Sequence, residues 1–298
     1  MNGLDTLTAG LFDYAGLFPP AALDLQDALR EAARAPRLRR PRLVGADLVV
    51  PLDRLGEITR HGLYFNGFGD TTCTLAVVGV ERKGLAAAAR AVRDHDRSHA
   101  PWSKVVALEV QGDAFPAQAL NTLRAAQRGL GGIRLFLEPR WSGARWREGQ
   151  GQLLALLEKL RDTQGLPSVG VKVRCAGPTA VRRATLEKLL PPLVAARIPL
   201  KATQGLHHAL PTGQELGFLP LAMAVRLLQA HGGGFAAKDL AALLRETDPA
   251  QFAFEDGVQW RGFGIQAATL KAAMAELPFT IGSCSLQEPD EELTRLFG

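Results

Sequence analysis

The sequence predicts an α/β protein, a (β/α)8 barrel of the TIM type with an N-terminal helix before the first strand. Three observations predict it. The chain has 298 residues, and a barrel of eight strand–helix units takes about 250 as one domain. Short β-branched or apolar runs alternate with longer helix-patterned segments, the order that gives parallel strands joined by crossover helices. Several consecutive runs also carry charge on one face toward their C-terminal ends, the end at which this architecture builds its sites. One domain over 1–298 is expected, with 1–40 a segment and helix packed on or covering the barrel.

Each element has a local reason. The runs 43–50, 72–80, 104–110, 132–138, 168–175, 199–203 and 279–283 are apolar or β-branched and bounded by Gly and Pro, so they read as strands. Helix 22–34 precedes them. Segment 82–97 has a long Ala/Arg pattern, and 116–128 opens on Pro116, a residue suited to a first turn. Leu recurs at helical spacing in 150–163 and in 179–196, the latter despite Pro191-Pro192. Helices 219–230, 237–246, 265–276 and 291–297 complete the set. An eighth strand is expected at 258–261, after Asp256-Gly257, with a hairpin over 252–261 as the alternative, because Asp-Gly favours hairpins. An open doubly wound sheet is the competing fold. It expects a Gly-rich phosphate turn after its first strand, and Val50-Pro51-Leu52-Asp53 is not one.

Composition narrows the class. With 47% apolar and 22% charged residues the chain is an ordinary globular protein, which excludes disorder and a disulfide-stapled miniprotein. The net charge of +5 comes from 27 Arg and 8 Lys spread along the chain. The one dense run, 34–42, holds five Arg and no aromatic residue on which a base could stack. A nucleic-acid partner is therefore not expected. Cys73, Cys175 and Cys284 are odd in number and far apart, which fits a reducing compartment and no zinc knot. The N-terminus lacks a basic region and carries Asp5 and Asp13, and no apolar run nears the ~20 residues of a membrane span. A cytoplasmic protein without a membrane partner, metal or cofactor is expected; homo-oligomer formation stays open.

The charged faces carry the chemistry. Val106, Leu108 and Val110 alternate with Ala107 and Glu109; Ile133, Leu135 and Leu137 alternate with Arg134, Phe136 and Glu138. Val169, Val171 and Val173 alternate with Gly170, Lys172 and Arg174; Ile198, Leu200 and Ala202 alternate with Pro199, Lys201 and Thr203. A parallel strand covered on both faces should read as nearly continuous apolar. In a barrel the charged faces point inward, so Glu109, Glu138, Lys172, Arg174, Lys201 and Thr203 should converge at the mouth. Two carboxylates against two Lys and one Arg form a nearly balanced set, as buried charge requires. An antiparallel strand with one solvated face alternates in the same way, but the helical spacers weigh against it; a purely structural ion-pair network is a further alternative.

Lys201 is the sharpest position. A partly desolvated Lys beside a second cation, here Lys172, loses basicity and can attack a carbonyl to form a Schiff base. Glu138 or Glu109 would move protons and Arg174 would hold an anionic group. Lys201-Ala202-Thr203-Gln204-Gly205 resembles the Lys-x-Ser/Thr-x-Gly strand of Schiff-base aldolases of the deoxyribose-phosphate aldolase type. The resemblance implies an imine on that Lys and a second strand Lys that lowers its pKa, and Val171-Lys172-Val173-Arg174-Cys175-Ala176-Gly177 is loosely similar to the second strand. That family places the imine strand first, whereas here Lys172 precedes Lys201. Segments 13–21, 201–208 and Gly282-Ser283-Cys284-Ser285 also resemble an uncharacterised bacterial family, which implies kinship and no reaction.

His207 and His208 follow the Lys201 run. His208 could act as general acid or base and His207 could contact substrate, or one could join Glu109 or Glu138 on a metal, although no zinc spacing is present. Gly282, Ser283 and Ser285 stand where loops after late barrel strands hold phosphate through backbone N–H groups; Cys284 as a nucleophile is the weaker reading. Segment 12–21 could plug the barrel or cover its mouth, bringing Asp13 and Tyr14 near the charges, or simply staple the following helix. The expected activity is an aldolase-like lyase acting on a small anionic carbonyl metabolite, phosphorylated or not. The alternatives are a metal-assisted lyase or hydrolase using Glu109, Glu138 and a loop His, and a non-catalytic barrel that binds an acidic metabolite.

Overall fold

The computed structural model describes residues 2–40, 43–116, 119–131, 133–142, 144–161 and 169–298. In chain order the strands are β1 (Phe12–Tyr14), β2 (Val44–Pro51), β3 (Cys73–Glu81), β4 (Ser103–Gly112), β5 (Arg134–Pro139), β6 (Val169–Arg174), β7 (Leu200–Thr203), β8 (Phe252–Ala253), β9 (Gly257–Trp260), β10 (Phe263–Gln266) and β11 (Phe279–Ser283). Eight of them close a parallel barrel in the order β1-β11-β7-β6-β5-β4-β3-β2, and helix Gly3–Leu7 precedes β1. This is the fold that the alternation of runs predicts. Helices Leu85–His99, Ala119–Gly129, Ala144–Arg161, Arg183–Ala195, Phe218–His231 and Gln287–Phe297 lie between or after the barrel strands in sequence. Parts of the predicted segments and of the basic run, at 41, 42, 117, 118, 132, 162, 163 and 168, lie outside the described residues.

Two strand assignments are corrected. The first barrel strand is Phe12–Tyr14, so the run at 43–50 is the second. A three-residue strand is too short to show a period of two. Its place is fixed by neighbours on both sides: Asp13 pairs with Gly282, and Phe12 with Val44. The segment therefore staves the barrel instead of plugging it. The eighth strand is not 258–261 either. β9 pairs antiparallel with both β8 and β10 in a separate three-stranded sheet, which is the hairpin alternative with one more strand. The reversal at Arg261, held at φ +50°, turns the chain back on itself instead of crossing to a parallel neighbour.

The small sheet explains the most apolar helix. Every residue from Phe218 to Leu228 is buried, because the helix has cover on its outward side as well as on the barrel. His231 meets Gly264 O at 3.1 Å, and Arg226 donates to Leu277 O at 2.7 Å and to Gln229 Oε1 at 2.7 Å. Burial lowers the Arg226 guanidinium to a pKa of about 10. The basic run is likewise tied to the chain's own acids: the Arg39 and Arg40 amides donate to the Asp290 carboxylate, and the Arg40 guanidinium pairs with Asp5 and Asp290.

The strands present two faces. Leu75, Val77, Leu108, Val110, Leu135, Leu137 and Val171 join the large core under the helices. A second, separate apolar cluster of Val49, Ala76, Val78, Ala107 and Phe136 fills part of the barrel interior. Gly170 makes room for the Phe136 ring, since a Cβ there would stand 2.8 Å from it and 2.5 Å from Pro199 O. Among the described residues no helix is long and apolar enough to cross a membrane, and the three cysteines are free.

Candidate active site

The opposite half of the interior is ionic. Register places Lys172 of β6 directly beside Lys201 of β7, and Arg174 beside Thr203. Lys201 Nζ reaches Asp13 Oδ2 at 2.6 Å and Glu109 Oε1 at 2.7 Å. Lys172 Nζ pairs with Glu109 Oε2 and, at 2.9 Å, with Glu138 Oε2. Arg174 Nε closes the row on Glu138 Oε1 at 2.5 Å. The result is one chain of alternating charge, Asp13–Lys201–Glu109–Lys172–Glu138–Arg174, in which three carboxylates meet three cations. Thr280 Oγ1 donates to Asp13 at 3.0 Å. Gly282 lies between Asp13 and Thr203 in register and has no side chain to fill that gap.

The alternation therefore does bring Glu109, Glu138, Lys172, Arg174 and Lys201 together, and it left their charge unbalanced by one positive unit. Asp13 supplies the missing carboxylate. The signal was in that imbalance, together with an Asp set between Phe12 and Tyr14. Tyr14 itself faces the other way, into the core under the helices, and burial raises its phenol.

Burial and pairing oppose each other along this row. Burial pushes Glu109 up, but Lys172 and Lys201 outweigh it and its pKa falls to about 2. Burial also pulls Lys201 down, but the Asp13 and Glu109 carboxylates outweigh it and hold the ammonium well above the usual lysine range. The expectation that Lys172 depresses Lys201 is corrected: Lys201 has two carboxylates within 2.7 Å, and these dominate the neighbouring cation. Asp13 is raised, because burial and then Asp47 outweigh the single lysine it faces.

The row opens on a cavity of about 280 Å³ at the C-terminal ends of the strands, the small end of the range for metabolite sites. Lys172, Arg174, Lys201, Glu109, Thr203 and Gln111 form its polar wall. Phe18, Pro19, Pro20, Val49 and Val78 form the facing wall. Sequence reading missed that apolar wall, because Val49, Val78 and Phe18 read as ordinary apolar residues of β2, β3 and the loop after β1. It also missed Gln204, a non-glycine residue at φ +60° followed by Gly205 at φ +62°. Only glycine suits the second position, where a Cβ would lie 2.7 Å from Ala176 Cβ. With its amide set so that Nε2 donates to Ala176 O, Gln204 Oε1 accepts from Arg174 Nη1 at 3.3 Å.

The remaining expected residues divide. His207, Gly282 and Ser283 line the cavity. His208 is turned toward Glu292, at 3.4 Å, and is not in the cavity wall. Ser285 accepts the Glu288 amide through Oγ and receives the Ser283 hydroxyl on its backbone oxygen, so it serves the start of the last helix. Glu138 sits behind Lys172 and Arg174 and outside the cavity lining. Cys284 lines the cavity, and burial raises its thiol. Among the described residues no three His, Cys, Asp or Glu side chains form a group that could hold a metal ion; Glu109 and Glu138 are engaged by Lys and Arg instead. Comparison of the chain with protein-family models gives no match, and comparison with curated proteins gives none.

Proposed function

We propose that this barrel is an enzyme that forms a Schiff base with a small carbonyl compound and makes or breaks a carbon–carbon bond beside it, with Lys172 as the imine lysine. The observation that carries this reading is the position of Lys172: its Nζ lies between two carboxylates, Glu109 and Glu138, and it lines the cavity. Lys201 is the fixed cation of the pair, enclosed by Asp13 and Glu109 with a side chain 2% exposed against 8% for Lys172. With these roles the imine strand comes first in the chain, as in the aldolases that the segments resemble, while the Lys-x-Thr-x-Gly run on Lys201 carries the fixed cation instead of the imine.

The chemistry balances within the row. The Lys172 ammonium gives a proton to Glu109 or Glu138, and the free amine adds to the carbonyl carbon. The protonated carboxyl returns its proton to the carbinolamine oxygen, water leaves, and an iminium forms. The iminium then accepts the electron pair of the breaking carbon–carbon bond as an enamine, while a carboxylate takes the proton of the hydroxyl on the departing carbon. Lys172 and Lys201 hold Glu109 well below the usual carboxylate range, so a proton taken from Lys172 resides on it only transiently before it passes to the carbinolamine oxygen.

Borohydride trapping with small aldehydes and 2-oxo acids, read by intact mass and peptide mapping, tests this. A reduced adduct on Lys172 is expected, and it should vanish in Lys172→Arg. An adduct on Lys201 with Lys172 untouched would reverse the two roles, and an unmodified chain would remove the imine chemistry altogether.

A further inference from the structure

The two walls of the cavity differ in a way that defines its occupant. On one side stands the ionic row; on the other, Phe18 packs against the interior cluster of Val49, Ala76, Val78, Ala107 and Phe136, which is separate from the main core. Such a cluster, open to a cavity, has apolar surface left to cover. The segment that bears Phe18 is tied down: Ala15 N donates to Ser283 O at 2.6 Å, Phe18 N to Ala15 O at 3.0 Å, and Ala22 N to Phe18 O at 2.9 Å. The wall is therefore part of the site's fixed shape.

Charge sets the second limit. Three carboxylates and three cations cancel along the row, so no surplus of positive charge waits for a dianion. The outermost cation, Arg174, uses Nε on Glu138 and turns Nη1 to Gln204, while Nη2 has no hydrogen-bond partner among the described residues. Its side chain is 29% exposed, the largest exposure in the row. A guanidinium edge of this kind suits one carboxylate.

We infer that the natural occupant is an unphosphorylated oxo acid with an apolar far end, its carboxylate on Arg174 and its hydrocarbon under Phe18 between Val49 and Val78. The carbonyl in this description rests on the proposed imine chemistry; the amphipathic monoanion rests on the walls alone. It replaces the phosphate expected on the loop after β11, where Ser285 is taken up by the last helix.

Calorimetric titration of the full chain with pyruvate, 2-oxobutanoate, 2-oxopentanoate and 2-oxohexanoate tests the inference, with inorganic phosphate and glyceraldehyde 3-phosphate as comparators. The dissociation constant should fall about fourfold for each added methylene until the apolar wall is covered. Phe18→Ala should flatten that trend, and Arg174→Met should weaken every acid about tenfold or more, with thermal melts confirming that each variant folds. A flat length series in the unmodified protein, no binding of any acid, or tighter binding of either phosphate compound overturns the inference. A long-chain acid that binds but is never trapped by borohydride would support the amphipathic site and remove the imine reading alone. Trapping of the sugar phosphate in preference to the acids would do the reverse.

Discussion

Two ionic clusters share the inside of this barrel, and they differ in one respect. Near the N-terminal ends of the strands Asp47 pairs with Arg134 at 2.7 Å and accepts the Thr74 hydroxyl at 2.8 Å. Near the C-terminal ends the six-member row from Asp13 to Arg174 opens on a cavity. Both are buried, and both are paired. In the lower cluster the partners serve one another. In the upper row Lys172, Lys201 and two of the three carboxylates are each shared between two partners, so a proton can shift along the row without leaving any group unpaired. Burial with pairing holds a structure together; burial with sharing beside an opening is what the proposed chemistry would use.

The largest effect should follow from emptying the centre of the upper row. Lys201→Met leaves Asp13 and Glu109 facing each other without their common cation, and loss of one partner from a buried pair costs about 3–5 kcal/mol. Denaturant unfolding should show that loss, and Asp13→Asn in the same chain should recover part of it. If the single variant is as stable as the unmodified protein, Lys201 does not hold the row together.

Acid titration should separate two members of the same row. Glu109 has a folded pKa near 2 against an ordinary 4.5, so it contributes stability above pH 4.5 that disappears as pH falls through 2. Asp13 has a folded value above its ordinary 3.8, so its contribution is complete below 3.8 and disappears as pH rises through the folded value. The difference in unfolding free energy between the unmodified chain and Glu109→Gln should therefore shrink from pH 4.5 to 2. For Asp13→Asn the difference should stay constant below pH 3.8 and shrink as pH rises above it, a window on the other side of the Glu109 one and of opposite sign. Equal slopes would mean that Lys201 serves both carboxylates alike.

Much of this contrast could be read from the sequence, and the reason is periodicity. β4, β5, β6 and β7 carry Glu109, Glu138, Lys172, Arg174 and Lys201 two residues apart or at matching depths, and a period of two survives in runs of four to ten residues. β1 has three residues, too few for any period, so Asp13 could be set near the charges only as part of a plug or cover, not as a strand residue. The antiparallel sheet was half legible through Asp256-Gly257. Which lysine is enclosed was not legible at all: Lys172 and Lys201 occupy equivalent register positions, and only the approach of Asp13 from β1, two strands away, tells them apart. The apolar wall was invisible for the opposite reason, since Val49 and Val78 look like any other strand residues until the barrel closes.

The lower cluster should respond to substitution in stability alone. Arg134→Met leaves Asp47 with the Thr74 hydroxyl and should destabilise the fold by about 1–3 kcal/mol. Arg134 is 29% exposed, so solvent can reach the carboxylate it abandons. Binding of 2-oxohexanoate and trapping at Lys172 should stay within about twofold of the unmodified protein, because neither Asp47 nor Arg134 lines the cavity. A large loss of binding would show that the two clusters act as one, coupled through Asp13, which feels both Asp47 and Arg134.

The smallest effect tests where the mouth ends. Ser285 follows two cavity residues, Ser283 and Cys284, yet its own hydroxyl oxygen accepts the Glu288 amide in the first turn of helix Gln287–Phe297. Removing a hydroxyl in this role costs about 0.5–2 kcal/mol, and the acids Glu288 and Asp290 already favour the positive end of that helix. Ser285→Ala should therefore fall at the low end of the range in thermal melts and leave every binding constant unchanged. The adjacent Ser283→Ala supplies the contrast: Ser283 lines the cavity and donates to Ser285 O at 2.6 Å. Its loss should move the affinity for oxo acids as well as the melt. Equal effects of the two substitutions on binding would place Ser285 inside the site and return phosphate recognition to this loop.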